Sequence, residues 1–462
     1  MRTLPYKKTV CAVLAGLALA GCAAGPDYVK PKLDIPTNFK EDGRWKTAEP
    51  QDAMPRGNWW MVFQDPTLNQ LMDRLNQQSP TIAQAEAQYR EAQAQLRQAE
   101  SSLFPSLSAT ASRSHGVSTP GTGAATGYNL GLSASWEIDL WGAVRREVEA
   151  GKAKQQASEA QLAAIRLSSQ AQLATAYLQW VVADQQLANL KQSEKLLADT
   201  LQLTRNQYAA GIVGDDAVAS AESQWKTAQA AAVDKQLTRA QLEHAIAAQL
   251  GQAPASFALP PSSGKPRLPQ IPAGLPSTLL ERRPDVAVAE RNMAAANAQI
   301  GVAKSAFFPA LSLGASGGYR GSTFADWVTL PNRIWSVGPS LALTLFDAGL
   351  RSAQTDQAIA SYDASVASYR QTVLAALQGV EDNLSAQSLL KEESDLQSSA
   401  LSSAKRAETI SLNQYKAGTV SYLNVMSAQN TRIAAENNLW NVVNRQYTAS
   451  VALIAALGGS WQ

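Results

Sequence analysis

The sequence has few of the residues on which most enzymes and metalloproteins depend. Its 462 residues include two histidines, His115 and His244, and two cysteines, Cys11 and Cys22. It contains no Cys/His cluster and no phosphate-binding glycine loop. Its net charge is +2, without the large excess of basic residues that nucleic-acid-binding proteins carry. These absences argue against catalysis, a cofactor, a metal site and a nucleic-acid partner, and among enzymes they leave open a hydrolase that uses carboxylates alone.

The N-terminus is typical of a secretory signal peptide. Residues 1–21 combine basic residues, an apolar run from Val10 to Ala20 and a small-residue exit, and the run is too short for a permanent transmembrane helix. The exit ends in Leu-Ala-Gly-Cys22, which resembles the bacterial lipobox, whose cysteine is acylated and becomes the first mature residue. A plain signal peptide that leaves a stray cysteine is the alternative. Since Cys11 lies within the predicted signal, we expect no disulfide within one mature chain.

The remaining sequence is predicted to consist of two similar halves. AEAQYREAQAQLRQAESSLFPSL (85–107) aligns with AERNMAAANAQIGVAKSAFFPAL (289–311), and NQYAAGIVG aligns with NQYKAGTVS about two hundred residues later. Solenoids repeat much shorter units several times, so this pattern indicates a single duplication. The predicted segments are an extended N-terminal part at 22–66, a first repeat at 67–265 and a second repeat at 266–462.

Each half is predicted to contain one β-hairpin. Helices that start at Pro80 and Pro284 are stopped by Phe-Pro pairs, and the hydrophobic period then changes from helical to two. The hairpins are predicted at about 106–138 and about 310–346. Strands of about ten residues have the length of tilted transmembrane β-strands. An ordinary soluble sheet packed under the helices would show the same alternation and is the alternative.

Long helices are predicted after the strands, at 143–210 and 350–417, because both runs lack proline and almost lack glycine. About 68 residues in one helix span about 100 Å. Heptad spacing of Leu173, Trp180, Leu187, Leu201 and Tyr208 predicts a coiled-coil seam on the first helix. The seam predicted on the second helix has smaller residues and comprises Ala386, Leu389, Leu396, Ala400, Ser403, Ala407 and Ile410. The opposite faces of both helices are polar. They would contact either the bulk periplasm or a water-filled bore, and the sequence pattern does not distinguish the two.

The repeated Tyr-x-x-Gly is predicted to form the tip of a helical hairpin in each half. Gly211 and Gly418 stand where a helix needs a left-handed residue in order to end. The tips are predicted at about 208–215 and 415–421, and Asp215 or Ser421 is expected to cap the returning helix.

Several motifs together resemble the outer-membrane factors of tripartite efflux pumps, the TolC/OprM-like channels, and most closely their NodT-type lipoprotein branch. Besides the lipobox, the Phe-Pro pairs and the Tyr-x-x-Gly tips, they are GPDYVKP (25–31), NWWMVFQDPTL (58–68) and ERRPDVAVAE (281–290). The resemblance implies a mixed α+β membrane protein. Three chains would each give four transmembrane strands to a shared twelve-stranded barrel that continues into a periplasmic α-helical barrel. Independently, four strands are too few for a closed membrane barrel, which needs at least about eight, so oligomerisation is required.

The function implied by the resemblance is that of an outer-membrane channel in a tripartite efflux or type I secretion-like system. It would be a passive exit duct for drugs or other small molecules, gated at its periplasmic tip. The implied partners are a homotrimer, a periplasmic adaptor (membrane fusion protein), an inner-membrane pump of the RND or a related class, and outer-membrane lipids. We expect a covalent lipid on Cys22 and no cofactor. The alternative is a lipid-anchored periplasmic helical scaffold or adhesin without a pore.

The gate implied by the resemblance involves residues on both tips. TolC-like members carry two aspartates just beyond the second Tyr-x-x-Gly, and the matching positions here are neutral, Asn424 and Ser427. The first tip instead has Asp215 and Asp216, so three chains would bring six carboxylates to one mouth. A capping role for Asp215 and a favourable helix-dipole position for Asp216 are the alternative roles. The predicted gate residues are Tyr208, Gly211, Asp215, Asp216, Tyr415, Lys416, Gly418, Asn424 and Ser427, and the two tyrosines are expected to hold neighbouring helices together.

Overall fold

The computed structural model describes residues 23–31, 40, 58–117, 124–262, 264–269, 271 and 283–459. The predicted signal peptide and Cys22 lie outside these residues. In chain order, the regular elements of the described part are α1 (Pro66–Gln78), α2 (Pro80–Ser101), β1 (Ser106–Gly116), β2 (Ala125–Ile138), α3 (Ala143–Ala209), α4 (Asp215–Gln249), α5 (Pro284–Ser305), β3 (Ala310–Gly321), β4 (Arg333–Ala342), α6 (Leu350–Lys416) and α7 (Tyr422–Ala456). Short 3-10 helices lie at Trp59–Phe63, Pro254–Ser256 and Leu330–Asn332.

The order helix, strand, strand, long helix, shorter helix occurs twice in the described chain. Both long helices, α3 and α6, contain 67 residues, and both returning helices, α4 and α7, contain 35. The bounds predicted for the long helices are confirmed to within one residue. The duplication as such, and the segment boundaries that follow from it, stay predictions. None of the described helices combines the length and the apolar character needed to cross a membrane.

Helix α1 is not among the elements predicted from the sequence. Its start has a clear local cause, because the Oδ1 atom of Asp65 accepts a hydrogen bond of 2.9 Å from the backbone N–H of Leu68. Pro66 then occupies the first helical position, where a missing N–H costs nothing. Helix α2 begins at Pro80, as predicted, but ends at Ser101 because the next residues form a turn ahead of the Phe-Pro pair.

The strands form one antiparallel sheet in the order β1-β2-β3-β4. Both predicted hairpins are present, and β2 also pairs with β3, so that Ala134 lies opposite Ala315. The second hairpin was predicted to extend to residue 346, which is wrong, because β4 ends at Ala342. Ala342 pairs with Ala310, the first residue of β3, and beyond this pair β4 has no partner strand.

The described residues fall into two compact units. The first contains the described part of Met1–Leu33 with Ala87–Ala160 and Val286–Thr372, and it includes the sheet. The second contains the described parts of Asp34–Glu86, Gln161–Asp285 and Val373–Gln462, and it includes both helical turns. Its largest buried cluster packs Trp59 and Phe63 against Trp180 of α3 and Tyr447 of α7.

The two predicted helical seams have different outcomes. On α3, Leu173, Trp180, Leu187 and Leu201 are buried as predicted, but Tyr208 is 49% exposed. On α6 the predicted seam lies on the surface of the single chain, apart from Ala386, which is partly buried. Leu389, Leu396 and Ile410 are 58%, 66% and 49% exposed within the single chain. The buried residues of α6 lie on another face and include Val380, Leu384, Leu390 and Leu401. In a helix rich in Ala and Ser, several faces have similar hydrophobicity, so the spacing by sevens did not identify the buried face.

Candidate functional site

The sheet of the first unit carries apolar side chains along one of its faces. Leu107, Ala134, Ala315 and Val337 lie opposite one another across the four strands and therefore share a face. Leu107 is 74% exposed, Leu132 of the same face 55% and Val337 64%. An exposed apolar surface of this kind marks a protein or membrane contact. A soluble sheet packed under helices is not the arrangement found, because that packing would bury these side chains.

The opposite face of the sheet consists mainly of serine and glycine. Ser108 and Ser133 are paired across β1 and β2, with 2.8 Å between their Oγ atoms. Ser316 and Ser336 make the same contact across β3 and β4, also at 2.8 Å. The alternation predicted from the sequence is thus confirmed, with one face suited to lipid and the other to water.

An Asp–Arg pair fixes each of the two connections between a strand and the long helix that follows it, from β2 to α3 and from β4 to α6. Asp139 accepts a hydrogen bond of 2.9 Å from the backbone N–H of Arg145 and one of 3.1 Å from its Nε. Asp347 accepts from the backbone N–H of Arg351 at 3.3 Å and from its Nε at 2.6 Å. These carboxylates accept hydrogen bonds from backbone N–H groups that have no partner within the helix, because they lie in its first turn.

In the second unit, both predicted hairpin tips have the expected turn. Gly211 has φ +74° and Gly418 has φ +73°, the left-handed conformation that glycine adopts at little cost. The following N–H groups close the turn in the Schellman pattern, from Ile212 to the carbonyl of Gln207 and from Thr419 to that of Gln414. The predicted tips are confirmed as helix-terminating turns.

The two tips contact each other through a small apolar cluster. Tyr415 and Tyr422 are 2% and 3% exposed and pack edge to face, with 5.8 Å between their ring centroids. They are buried together with Leu201, Ala221 and Val425. The cluster contains residues of α3, α4, α6 and α7, so it joins the first helical hairpin to the second. An open cleft of about 470 Å³ lies beside it between the two turns.

Hydrogen bonds between the hairpins accompany the apolar cluster. The hydroxyl groups of Tyr415 and Thr204 are 3.1 Å apart, and Thr204 donates to the carbonyl of Thr200 at 3.0 Å, so Tyr415 is the donor to Thr204. Tyr422 donates to Oε1 of Gln224 at 2.9 Å, and Gln224 donates to Asn430 at 3.2 Å. Burial, and secondarily the neighbouring Tyr415, raise the pKa of Tyr422 to about 12.

A buried ionic network joins α3, α6 and α7 further along from the tips. Arg432 of α7 is 6% exposed and lies 2.8 Å from a carboxylate oxygen of Glu408 and 2.8 Å from one of Glu436. It also donates to Oγ of Ser193 on α3 at 3.0 Å. Such a network strongly favours one arrangement of the helices, because breaking it would leave a buried charge without a partner.

The predicted capping role of Asp215 is wrong. Gly214 occupies the N-cap position of α4, and Asp215 and Asp216 are the first two helical residues, where their charges suit the positive end of the helix dipole. A Cβ atom at Gly214 would collide with the carboxylate of Asp216, so that carboxylate is folded back over the start of the helix. Ser421 occupies the N-cap position of α7, but its side chain makes no capping hydrogen bond.

The remaining predicted gate residues lie on the surface of the single chain. Tyr208, Asp215, Asp216, Lys416, Asn424 and Ser427 are exposed. Tyr415 joins the two hairpins as predicted, whereas Tyr208 does not belong to the buried cluster. Thr204, Gln224 and Tyr422 are not among the predicted gate residues. Only Tyr422 carried a signal, as an aromatic residue directly after a predicted tip.

The sequence profile of a known family matches most of the chain. The family is described as outer membrane efflux protein, and the match covers residues 71–252 and 275–459.

Individual proteins are similar over nearly their whole length. The probable efflux pump outer membrane protein TtgC of Pseudomonas putida is 30% identical over 466 residues, covering 98% of this chain and 96% of TtgC. The pyoverdine export outer membrane protein OpmQ of Pseudomonas aeruginosa is 30% identical over 475 residues, covering 98% of this chain and 97% of OpmQ. The solved structure of the outer-membrane channel OprN superposes with a TM-score of 0.88 at 30% identity, covering 95% of this chain and 100% of OprN.

Proposed function

The chain belongs to the outer membrane efflux protein family and is an outer-membrane efflux channel, and on this premise we propose that three copies associate into one export duct. The resemblance inferred from the motifs is confirmed. The family is one of transport channels rather than enzymes, and the alternative of a scaffold or adhesin without a pore finds no support. In the proposed trimer, the sheets close into a twelve-stranded barrel, and the helical hairpins form a periplasmic tunnel.

The observation that carries this proposal is the sheet with one apolar and one hydroxyl-rich face. Within the chain, β1 and β4 are the edge strands of the sheet. A membrane cannot hydrogen-bond the free backbone groups of such edges, and a membrane barrel needs at least about eight strands. Both requirements favour pairing of β4 with β1 of another copy. The exposed Leu389, Leu396 and Ile410 of α6 provide a second apolar surface for contact between copies.

The N-terminal segment supports a lipid anchor on Cys22. The backbone N–H of Ala24 donates to the carbonyl of Trp141 at 2.9 Å, between β2 and α3. Arg146 is 5% exposed, and its guanidinium donates to Asp27 at 2.7 Å. Gly25 has φ +91°, and a Cβ atom there would collide with Gly301 of α5. The described residues of this segment are thus held beside the C-terminal end of β2, which suits a lipid anchor attached just before them.

As a component of an efflux pump, the channel is proposed to work with a periplasmic adaptor and an inner-membrane pump. The gate is proposed to be the paired tips, because the cluster around Tyr415 and Tyr422 holds the two hairpins of one chain together. Opening would then require those contacts to separate. A cofactor has no role in this passive mechanism.

Liposome swelling tests the pore. The purified protein is reconstituted in liposomes, which are then diluted into isotonic solutions of sugars of increasing size. Wild type should swell the liposomes slowly, and a variant with a weakened tip, Tyr422→Phe, should swell them faster up to a size limit. Absence of swelling for both proteins, with confirmed insertion, would contradict a pore.

A separate experiment tests whether Asp216 contributes to an acidic ring at the mouth. Clustered carboxylates attract multivalent cations, so a trivalent cation added from the periplasmic side should block wild-type conductance in a planar bilayer. Asp216→Asn should weaken this block, with Asp215→Asn as the neighbouring control. If block and selectivity are the same in all three proteins, the two aspartates form no ring, and their role is confined to the start of α4.

A further inference from the structure

The apolar face of the sheet contains a groove that the channel function does not explain. The groove has a volume of about 680 Å³ and crosses strands β2, β3 and β4. The register places two neighbouring rows of residues in it, Leu130, Tyr319 and Arg333 in one row and Leu132, Gly317 and Trp335 in the other. The groove is therefore complete within one chain and needs no residue from another copy.

Gly317 creates the depth of the groove. A Cβ atom at this position would meet no other atom within 4 Å, so the space above the backbone of β3 is open. Leu132 is 55% exposed on one side of this space, and Trp335 is 70% exposed on the other. A flexible hydrocarbon chain fits a channel of this kind, because it would cover both side chains and fill a space that no protein atom occupies.

Arg333 gives the groove a positive charge at one end. It is exposed, and within the described part of the chain it forms no ion pair. A guanidinium group on a lipid-facing surface is costly near the midplane of a bilayer, but much less so at the interface. There it can bind a phosphate through two parallel hydrogen bonds. Tyr319, directly opposite Arg333, has the amphipathic ring that is enriched at such interfaces.

The position of Arg333 along the strands selects one side of the membrane. Arg333 is the first residue of β4, and β4 ends next to α6, so Arg333 lies at the end of the sheet remote from the helices. Tyr128 at this end and Trp136 near the helices are eight residues apart on β2, about 27 Å along the strand. With a strand tilt of about 40°, this corresponds to about 20 Å across the membrane, close to the thickness of the apolar band. With the helices in the periplasm, Arg333 is level with the outer leaflet.

We propose that this groove binds a phosphorylated, acylated glycolipid of the outer leaflet. One acyl chain lies over Gly317 between Leu132 and Trp335, and a phosphate of the head group binds the guanidinium of Arg333. The orientation rests on the proposed function, since it requires the apolar face to point to lipid and the helices to lie in the periplasm.

Two pairs of variants of the full mature protein test the site. Arg333→Gln removes the charge, and its control is Arg320→Gln, which removes an exposed arginine near the same end of the sheet but on the opposite face. Gly317→Leu fills the groove, and its control is Ala315→Leu, which adds bulk to the same face one row away. Binding is measured by native mass spectrometry with added diphosphoryl lipid A, dephosphorylated lipid A, phosphatidylglycerol and inorganic phosphate as separate probes.

Wild type should retain diphosphoryl lipid A in preference to the other probes. Arg333→Gln should weaken this binding by at least about tenfold, because glutamine carries no charge and can replace at most one of the two hydrogen bonds, and Arg320→Gln should leave it unchanged. Gly317→Leu should weaken binding of every acylated probe, and Ala315→Leu should not. Equal retention by Arg333→Gln and Arg320→Gln would overturn the proposal. Competition by inorganic phosphate at equal concentration would also overturn it, because it would show anion binding without the acyl chain.

Conductance in bilayers that lack lipid A reports on the proposed function separately. If wild type binds lipid A but conducts no current, the channel assignment fails while the lipid site stands. If all the proteins conduct and none distinguishes the lipids, the site fails and the channel stands.

Discussion

The hydroxyl group of Tyr422 provides a sensitive test of how the hairpin tips are held together. Tyr422→Phe removes the hydrogen bond to Gln224 but keeps the ring, and therefore its edge contact with Tyr415 and its place in the apolar cluster. Gln224 is 9% exposed, so its Oε1 atom would lose a partner in a site that water reaches poorly. An unsatisfied buried acceptor of this kind costs about 1–2 kcal/mol, which favours separation of the tips by about 5- to 30-fold in each chain.

Single-channel recording in a planar bilayer measures this change. We expect Tyr422→Phe to increase the fraction of time in the larger conductance level and to leave the proposed trimer intact. Tyr208→Phe is the matched control, since Tyr208 is 49% exposed and outside the buried cluster, and it should behave as wild type. The reasoning would be refuted if the two variants had the same conductance, or if Tyr422→Phe matched wild type while Tyr422→Ala opened the channel. The second result would assign the closure to ring packing alone.

Other perturbations address the sheet, the anchor and the effect of pH. Leu132→Arg puts a charge on the apolar face and should cost about 2–4 kcal/mol near the midplane, whereas Ser133→Arg on the hydroxyl face should leave assembly intact; equal trimer yields on unheated gels would contradict the assignment of the faces. Cys22→Ser, if still exported and cleaved, should fold but insert less efficiently, and mass spectrometry of the mature wild-type N-terminus should detect acyl chains; an unmodified cysteine would rule out the anchor. Because burial raises the pKa of Tyr422 from 10.0 to about 12, its contribution to tip closure is complete below pH 10 and is lost as the pH rises toward 12. Conductance of wild type should therefore increase over this range, and that of Tyr422→Phe should increase less.

Features with local causes could be predicted from the sequence. The long helices end where Gly211 and Gly418 adopt a left-handed conformation, and α2 and α5 begin where Pro80 and Pro284 fix φ. Each depends on the conformational range of one residue, which neighbours along the chain can support without tertiary contacts.

Features that depend on distant partners could not be predicted in the same way. The pairing of Ala134 with Ala315 joins residues far apart in sequence, and alternation alone does not specify which strand lies beside which. Which face of α6 is buried depends on the elements that pack against it. Because the helix is rich in Ala and Ser, its faces differ little in hydrophobicity. At the tips, Thr204 and Gln224 are ordinary polar residues of a helix until Tyr415 and Tyr422 lie beside them.

The paired serines of the sheet have a consequence for how fast cargo moves. In the proposed channel, the hydroxyl-rich face lines the passage, and Ser108 with Ser133 and Ser316 with Ser336 each share one hydrogen bond. A passing molecule that binds these hydroxyl groups only exchanges its hydrogen bonds with water for hydrogen bonds with the wall, so the net gain in free energy is small. A wall with short side chains and few charges binds solutes weakly. The dwell time of a solute therefore depends on its size rather than its chemistry. The lining therefore favours rapid release of unrelated molecules over selection among them.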